Sequence, residues 1–288
     1  MDARPIGVFD SGLGGLTTVK RLTELLPGED IIYLGDTGRV PYGPRSRETI
    51  IKYSRQDAAF LAGFDIKAMV IACNTVCSVA YDVLARAYDI PVYEVVSTPA
   101  RAAAAVTKNG KIGVIGTTAT IHSGAYEEAL RKEARARPYD SLASQETRTS
   151  LPEKPEITVY SAPCPLFVPL AENGRTGEND VAALAIAEDY LKGLSGAGID
   201  TLILGCTHYP LLRDVISKVV GPDVTLIDSG AEAARLVAED LQGKGMLTGG
   251  TGGTIRYFVT DGVDGFSDLA SRFLEAEVRG KVEQITLE

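Results

Sequence analysis

An α/β fold of two similar halves, each a parallel-type sheet flanked by helices, is predicted by three observations. Short apolar runs alternate with helically periodic stretches at a pace that suits strands paired in parallel and covered on both faces. The runs end abruptly in small polar side chains or thiols, as at Met69-Val-Ile-Ala-Cys-Asn-Thr75 and Leu202-Ile-Leu-Gly-Cys-Thr-His208. The pattern that opens the chain then starts again near residue 111. Pseudo-symmetry between the halves would place a site between them.

Taken in order, Pro5–Phe9 is a strand that breaks into the loop Asp10-Ser-Gly-Leu-Gly-Gly15, after which Leu16, Val19, Leu22 and Leu25 recur at helical spacing. Pro27-Gly28 stops that helix, and Asp30–Leu34 is a second strand followed by the loop Asp36–Pro44. A helix over about 45–63, a strand over 67–72 and a helix over about 75–88 come next. Pro91–Val96 is a further strand, and an Ala-rich helix follows from about Thr98. Lys111–Ile115 repeats Pro5–Phe9, with Gly116-Thr-Thr-Ala-Thr120 in place of the first loop. Gly7 precedes Cys73 by 66 residues and Gly113 precedes Cys206 by 93, an excess of 27. Much of it fits the polar tract Asp140–Pro155, which reads as an exposed insertion. The second half continues with a strand at 157–161, the segment Cys164–Glu172, a helix over about 179–194 and a closing strand at Thr201–Leu204. Later elements, a helix to about Val220, a strand at 224–227, a helix through Leu241, the glycine-rich tract 243–253, a strand at 254–260, a helix at 265–274 and a strand at 282–287, are expected to return to the first domain. The expected division is therefore 1–98 with 209–288, carrying Cys73, and 99–208, carrying Cys206.

The composition is that of an ordinary globular chain, with 288 residues, 45% apolar and 23% charged. A net charge of −9 and a pI near 4.9 oppose binding to nucleic acid or an anionic membrane. No long apolar span or signal-peptide pattern is present, and four cysteines without Cys-x-x-Cys spacing read as reduced thiols. The reading is of a cytoplasmic protein.

Ligands of open parallel sheets bind beyond the carboxyl ends of the strands, where helix N-termini offer free N–H groups. Asp10-Ser11, Pro41-Tyr42-Gly43, Cys73-Asn74-Thr75, Thr117-Thr118 and Cys206-Thr207-His208 all follow such ends. One cysteine after a strand is usually a small buried hydrophobe. Two in matched contexts are candidates for a catalytic pair, one sulfur taking a proton from one face of a small ligand and the other returning a proton to the opposite face. Thiols titrate near 8.5 and helix N-termini lower that value, so one base and one acid can coexist near neutral pH. His208 is placed to orient Cys206, to charge it or to serve as a proton acceptor itself, with Glu172 as its support. Asp10 either caps its turn or binds an ammonium. Cys77 and Cys164 read as structural. The loop 10–15 lacks the spacing of nucleotide-binding loops, and no ligand spacing supports a metal.

Val8-Phe-Asp10-Ser-Gly-Leu-Gly-Gly-Leu16, Gly35-Asp-Thr-Gly-Arg-Val-Pro-Tyr-Gly43, Ala72-Cys-Asn-Thr75, Cys164-Pro-Leu-Phe-Val-Pro-Leu170 and Leu204-Gly-Cys-Thr-His-Tyr-Pro-Leu-Leu212 closely resemble the glutamate racemases of the aspartate/glutamate racemase family. The resemblance implies cofactor-independent interconversion of L- and D-glutamate, the D-isomer feeding peptidoglycan synthesis, in a protein that is usually a homodimer. By position it implies Cys73 and Cys206 as catalytic, and Asp10, Ser11, Tyr42, Gly43, Asn74, Thr75, Thr207 and His208 as substrate-binding. Val76-Cys77 departs from the commoner Ala-Ser, and the Asp140–Pro155 tract is longer than usual. Two other classes compete with this reading. A Cys206–His208 thiol hydrolase requires an acyl-enzyme, and a non-catalytic amino-acid-binding module would show no exchange of the α-proton with solvent.

Overall fold

The computed structural model describes residues 1–135, 155–264, 266–278 and 280–287. The chain runs β1 (Ile6–Asp10), α1 (Leu16–Leu25), β2 (Ile31–Gly35), α2 (Arg47–Ala62), β3 (Ala68–Ile71), α3 (Asn74–Ala85), β4 (Val92–Glu94) and α4 (Ser97–Val106). It continues β5 (Lys111–Gly116), α5 (Thr118–His122), α6 (Ala125–Arg135), β6 (Thr158–Pro163), α7 (Phe167–Glu172), α8 (Val181–Ala197) and β7 (Thr201–Gly205). A 3-10 turn (Tyr209–Leu212) leads into α9 (Arg213–Val220), then β8 (Thr225–Asp228), α10 (Ser229–Gly243), β9 (Ile255–Val259), α11 (Phe266–Leu274) and β10 (Val282–Gln284). Of the tract Asp140–Pro155, all but Pro155 lies outside the described residues.

β1, β2, β3 and β7 are buried along their whole length, which is why they read as unbroken apolar runs. They belong to two sheets, ordered β10-β9-β2-β1-β3-β4 and β6-β5-β7-β8, in which every neighbouring pair is parallel. The order β2-β1-β3-β4 is that of β6-β5-β7-β8, and the likeness extends to packing. Gly7 pairs with Ile32 and Met69, Gly113 with Tyr160 and Leu202. A Cβ on Gly7 would lie 2.7 Å from Ile66 Cδ1 and 3.3 Å from Leu61 Cδ1; one on Gly113 would lie 2.7 Å from Ile199 Cδ1 and 3.7 Å from Leu194 Cδ1. Each glycine thus makes room for the helix before the cysteine-bearing strand. That strand is β3 in one half and β7 in the other.

The expected return of every element after residue 208 to the first sheet is corrected by β8, which pairs with β7 and closes the second sheet. The physical reason is that each repeat has four strands. β8 corresponds to β4, and in both an acid at the strand end holds the next helix: Glu94 accepts from Ser97 N at 2.7 Å, Asp228 from Gly230 N at 2.9 Å. β9 and β10 do return to the first sheet. Helix α10 packs on α1 and on α4, and α4 packs on α6, so these helices join the two sheets.

The glycine-rich tract after α10 is fastened at the end of the first sheet away from the strand-end cysteines. Lys67, wholly buried, pairs with Glu29 and donates to Asp2 O at 2.7 Å and Met246 O at 2.9 Å. Glu29 in turn accepts from Thr248 N at 2.7 Å. Removing one member of a buried ion pair leaves the other charge without compensation, at about 3–5 kcal/mol. Lys67→Met is therefore expected to lower unfolding stability by that amount in urea, and Lys67→Met with Glu29→Leu to lower it by less.

Candidate active site

The ends of β1, β3, β5 and β7 are linked by contacts into one ring of side chains. From β3, Cys73 caps α3 and its sulfur donates to Ser11 Oγ at 3.3 Å. Thr75, on the first turn of α3, has its hydroxyl 2.9 Å from Thr117 Oγ1 beyond β5, and Thr117 Oγ1 is 3.0 Å from Thr120 Oγ1. Gly43 passes the same threonine, since a Cβ on it would sit 3.4 Å from Thr117 Cβ. On the far side, loop 10–15 presses on the end of β7. A Cβ on Gly14 would lie 2.2 Å from Thr207 Oγ1 and 2.5 Å from His208 Nδ1, and Thr17 Oγ1 donates to Thr207 O at 3.0 Å.

Asp10 stands between the two cysteine-bearing ends. One carboxylate oxygen caps the loop, accepting from Gly12 N at 3.0 Å, while Oδ1 is buried and has no partner. The capping reading of Asp10 is met by one oxygen, and the other is left free. Burial pushes its carboxyl up, against the pull of protonated His208 and the N–H groups of Gly15, Gly12 and Ser11. A buried acceptor left open is unusual and suits a donor that arrives with a ligand.

The two thiols sit in different fields. Cys73, 5% exposed, does not have the lowered value expected at a helix N-terminus: burial, followed by the charge of Asp10, pushes it up to about 12. Cys206, 6% exposed, lies 4.0 Å from His208 Nδ1. The other ring nitrogen, Nε2, is 3.0 Å from Glu172 Oε1, the support expected from sequence, and Phe273 stands edge-on to the imidazole at 5.1 Å. Burial works against the imidazolium, but the hydrogen bonds and charges of Cys206 and Glu172 outweigh it and raise His208 to about 10.

Other candidate side chains are engaged within the protein or are exposed. The Asn74 amide is used up inside the protein: Nδ2 donates to Ser229 Oγ at 3.2 Å and to Tyr126 Oη at 3.3 Å, and Oδ1 accepts from Ser229 Oγ at 3.1 Å. Its backbone N–H, not its side chain, remains at the helix start. The Tyr42 hydroxyl turns into the core toward Asp36 and Asp57. Pro41 and Thr118 are exposed. Cys206 opens onto a 3-10 turn where a helix was expected. Thr120, Tyr126 and Ser229, which support the ring, were not singled out from sequence; only Thr120 has a local signal, three residues after the capping Thr117. Cys77 donates to Ile71 O at 3.2 Å and Cys164 to Ala162 O at 3.6 Å. No group of three His, Cys, Asp or Glu side chains among the described residues could hold a metal ion.

The family model described as Asp/Glu/Hydantoin racemase matches residues 6–237, and the chain belongs to that racemase family. Its relatives include glutamate racemases of Geobacter metallireducens, 47% identical over 100% of this chain and 98% of theirs, and of Neisseria gonorrhoeae, 42% identical over 99% and 97%. Among solved structures, a glutamate racemase isoform of Bacillus anthracis matches with a TM-score of 0.86 and 38% identity over the full length of both chains. The glutamate racemase of Francisella tularensis in complex with D-glutamate matches with a TM-score of 0.86 and 38% identity, covering 100% of this chain and 99% of that one.

Because His208 is raised from 6.5 to about 10, its charged form stabilises the fold fully below about pH 6.5, and this contribution is lost as pH rises through about 10. The stability advantage of wild type over His208→Gln in denaturant titrations is expected to shrink from pH 6 to pH 10. An advantage constant over that range contradicts a protonated, buried His208.

Proposed function

We propose that the chain interconverts L- and D-glutamate without a cofactor, Cys73 and Cys206 exchanging protons with opposite faces of the α-carbon. The observation that carries this reading is the equivalence of the two cysteines. Each follows the third strand of a four-strand repeat, and each feels a different charged group, Asp10 for Cys73 and His208 for Cys206. One sulfur takes the α-proton, the electron pair of the C–H bond moves into the adjoining carboxylate system, and the thiol on the other face supplies the new proton. The product leaves each sulfur in the other's starting state. Cys73, held as a thiol, suits the donor, and Cys206, facing protonated His208, suits the acceptor whose charge that imidazolium balances. Reversal of these roles runs the reaction the other way.

The ligand's ammonium suits the open Asp10 Oδ1. Its carboxylates cannot be drawn in by a chain of net charge −9, so short local hydrogen bonds must hold them. The candidate donors are the N–H groups opening α3 and following Cys206, the hydroxyls of Ser11, Thr75, Thr117 and Thr207, and the Tyr42-Gly43 backbone. The division proposed with this reading follows the sheets, β1–β4 with β9 and β10 around Cys73 and β5–β8 around Cys206. The family reading adds a homodimer, a cytoplasmic location and supply of D-glutamate to peptidoglycan; among the described residues no helix is long and apolar enough to cross a membrane.

Cys73→Ser and Cys206→Ser are each expected to abolish nearly all racemisation of glutamate, followed by optical rotation, because a serine hydroxyl is a far weaker base than a thiolate. Wild-type turnover in either variant would rule out the two-thiol reaction. Thr75→Ala and Thr207→Ala are expected to lower kcat/KM by roughly tenfold to a hundredfold, the effect of losing a donor to a charged group worth about 1.5–3 kcal/mol.

A further inference from the structure

Behind the Tyr42-Gly43 backbone lies a buried network that the reaction above does not use. The Tyr42 side chain is 1% exposed, and its hydroxyl reaches Asp36 Oδ2 and stands 3.0 Å from Asp57 Oδ2. Asp36 also accepts from Arg39 Nε at 2.6 Å and Thr260 Oγ1 at 2.8 Å. Arg39 spans the two acids, donating from Nη2 to Asp57 Oδ1 at 3.0 Å and from Nη1 to Gln56 Oε1 at 2.5 Å. Its guanidinium is 4.2 Å from the ring centroid of Tyr53, which packs on Tyr42 at 5.5 Å.

A count of protons fixes how this network is joined. One phenolic hydrogen serves one carboxylate, so the second contact of the Tyr42 oxygen needs a proton on an acid. Asp57 is the acid that keeps it: burial, then the charge of Asp36, pushes its carboxyl well up. The chain then runs from the Asp57 O–H to Tyr42 and from the Tyr42 O–H to Asp36, leaving one carboxylate opposite one guanidinium. None of its buried side-chain polar atoms is left without a partner, a condition under which a buried network rigidifies what it holds.

What it holds is the segment that brings Gly43 to Thr117, whose hydroxyl is 2.9 Å from that of Thr75. We propose that Arg39 and Asp57 are positioning residues for the racemase reaction, fixing through the Tyr42 hydroxyl the Tyr42-Gly43 backbone against which the substrate is bound. The proposal rests on the racemase reading above. Backbone donors to a ligand act only when held within about 0.5 Å of the productive geometry, and neither a loop nor an exposed proline supplies that rigidity alone.

Tyr42→Phe and Asp57→Leu are expected to raise KM for glutamate about tenfold or more, with kcat within about threefold of wild type. Asp57→Asn keeps a neutral donor and an acceptor in the same place and is expected to restore KM to within about twofold. A purely structural role would lower the active fraction, so that kcat fell and KM stayed; that result overturns the proposal. If Asp57→Leu fails to fold, Tyr42→Phe decides by the same criteria. Hydrogen exchange read by mass spectrometry tests the network without glutamate. Faster exchange at Tyr42-Gly43 in Tyr42→Phe, with exchange at Cys206–His208 unchanged, supports the proposal, and unchanged exchange at both overturns it. A wild-type enzyme that left glutamate unracemised would instead refute the substrate reading while this exchange comparison still judged the network.

Discussion

The approach of Gly14 to Thr207 and His208 is the contact on which the site depends. Any Cβ at position 14 would come within 2.2 Å of the Thr207 hydroxyl, so only glycine lets the loop of one half lie against the strand end of the other. Next to it, Gly15 gives way to Asp10, whose Cβ would lie 2.6 Å from an added methyl. These two glycines put Asp10 within electrostatic reach of Cys73 on one side and His208 on the other.

From that contact follows an asymmetry that the repeat alone would not give. The two cysteines occupy equivalent places, yet one meets Asp10 and Ser11 and the other meets His208 and, through it, Glu172. A symmetric fold therefore carries an asymmetric charge distribution, a buried acid beside one thiol and a buried imidazolium beside the other. For the proposed proton transfer between faces this would be useful, because that reaction needs one sulfur to begin with a proton and the other without. Burial of both also strengthens each pairing relative to the same groups in water.

The alternation of elements was legible because strands buried on both faces leave an apolar signature, and the cysteine pair was legible because the two strand ends repeat almost the same residues. The sheet to which the expected strand at 224–227 belongs was not, because a run of 4 residues such as β8 carries no sign of which strand it will pair with. Side-chain direction was also out of reach. Asn74 looks like a ligand contact in sequence, but its amide is claimed by Ser229, 155 residues away, and by Tyr126, 52 residues away. The Tyr42 hydroxyl is likewise claimed within the protein, by Asp57 on α2, 15 residues away. Pairings of this kind depend on how distant elements pack, and no local pattern announces them.

The central claim is that two different sulfurs serve the two faces of one α-carbon, and the place of solvent hydrogen early in turnover tests it most directly. With L-glutamate in D2O, sampled before a few per cent has reacted and read by mass spectrometry after separation of the enantiomers, the account predicts deuterium at the α-carbon of essentially all D-glutamate formed. The recovered L-glutamate should remain protiated. The same pattern should hold from D-glutamate with the labels exchanged. Equal deuterium in product and recovered substrate, or protium carried from one enantiomer into the other, would mean that a single group serves both faces, and would contradict the account.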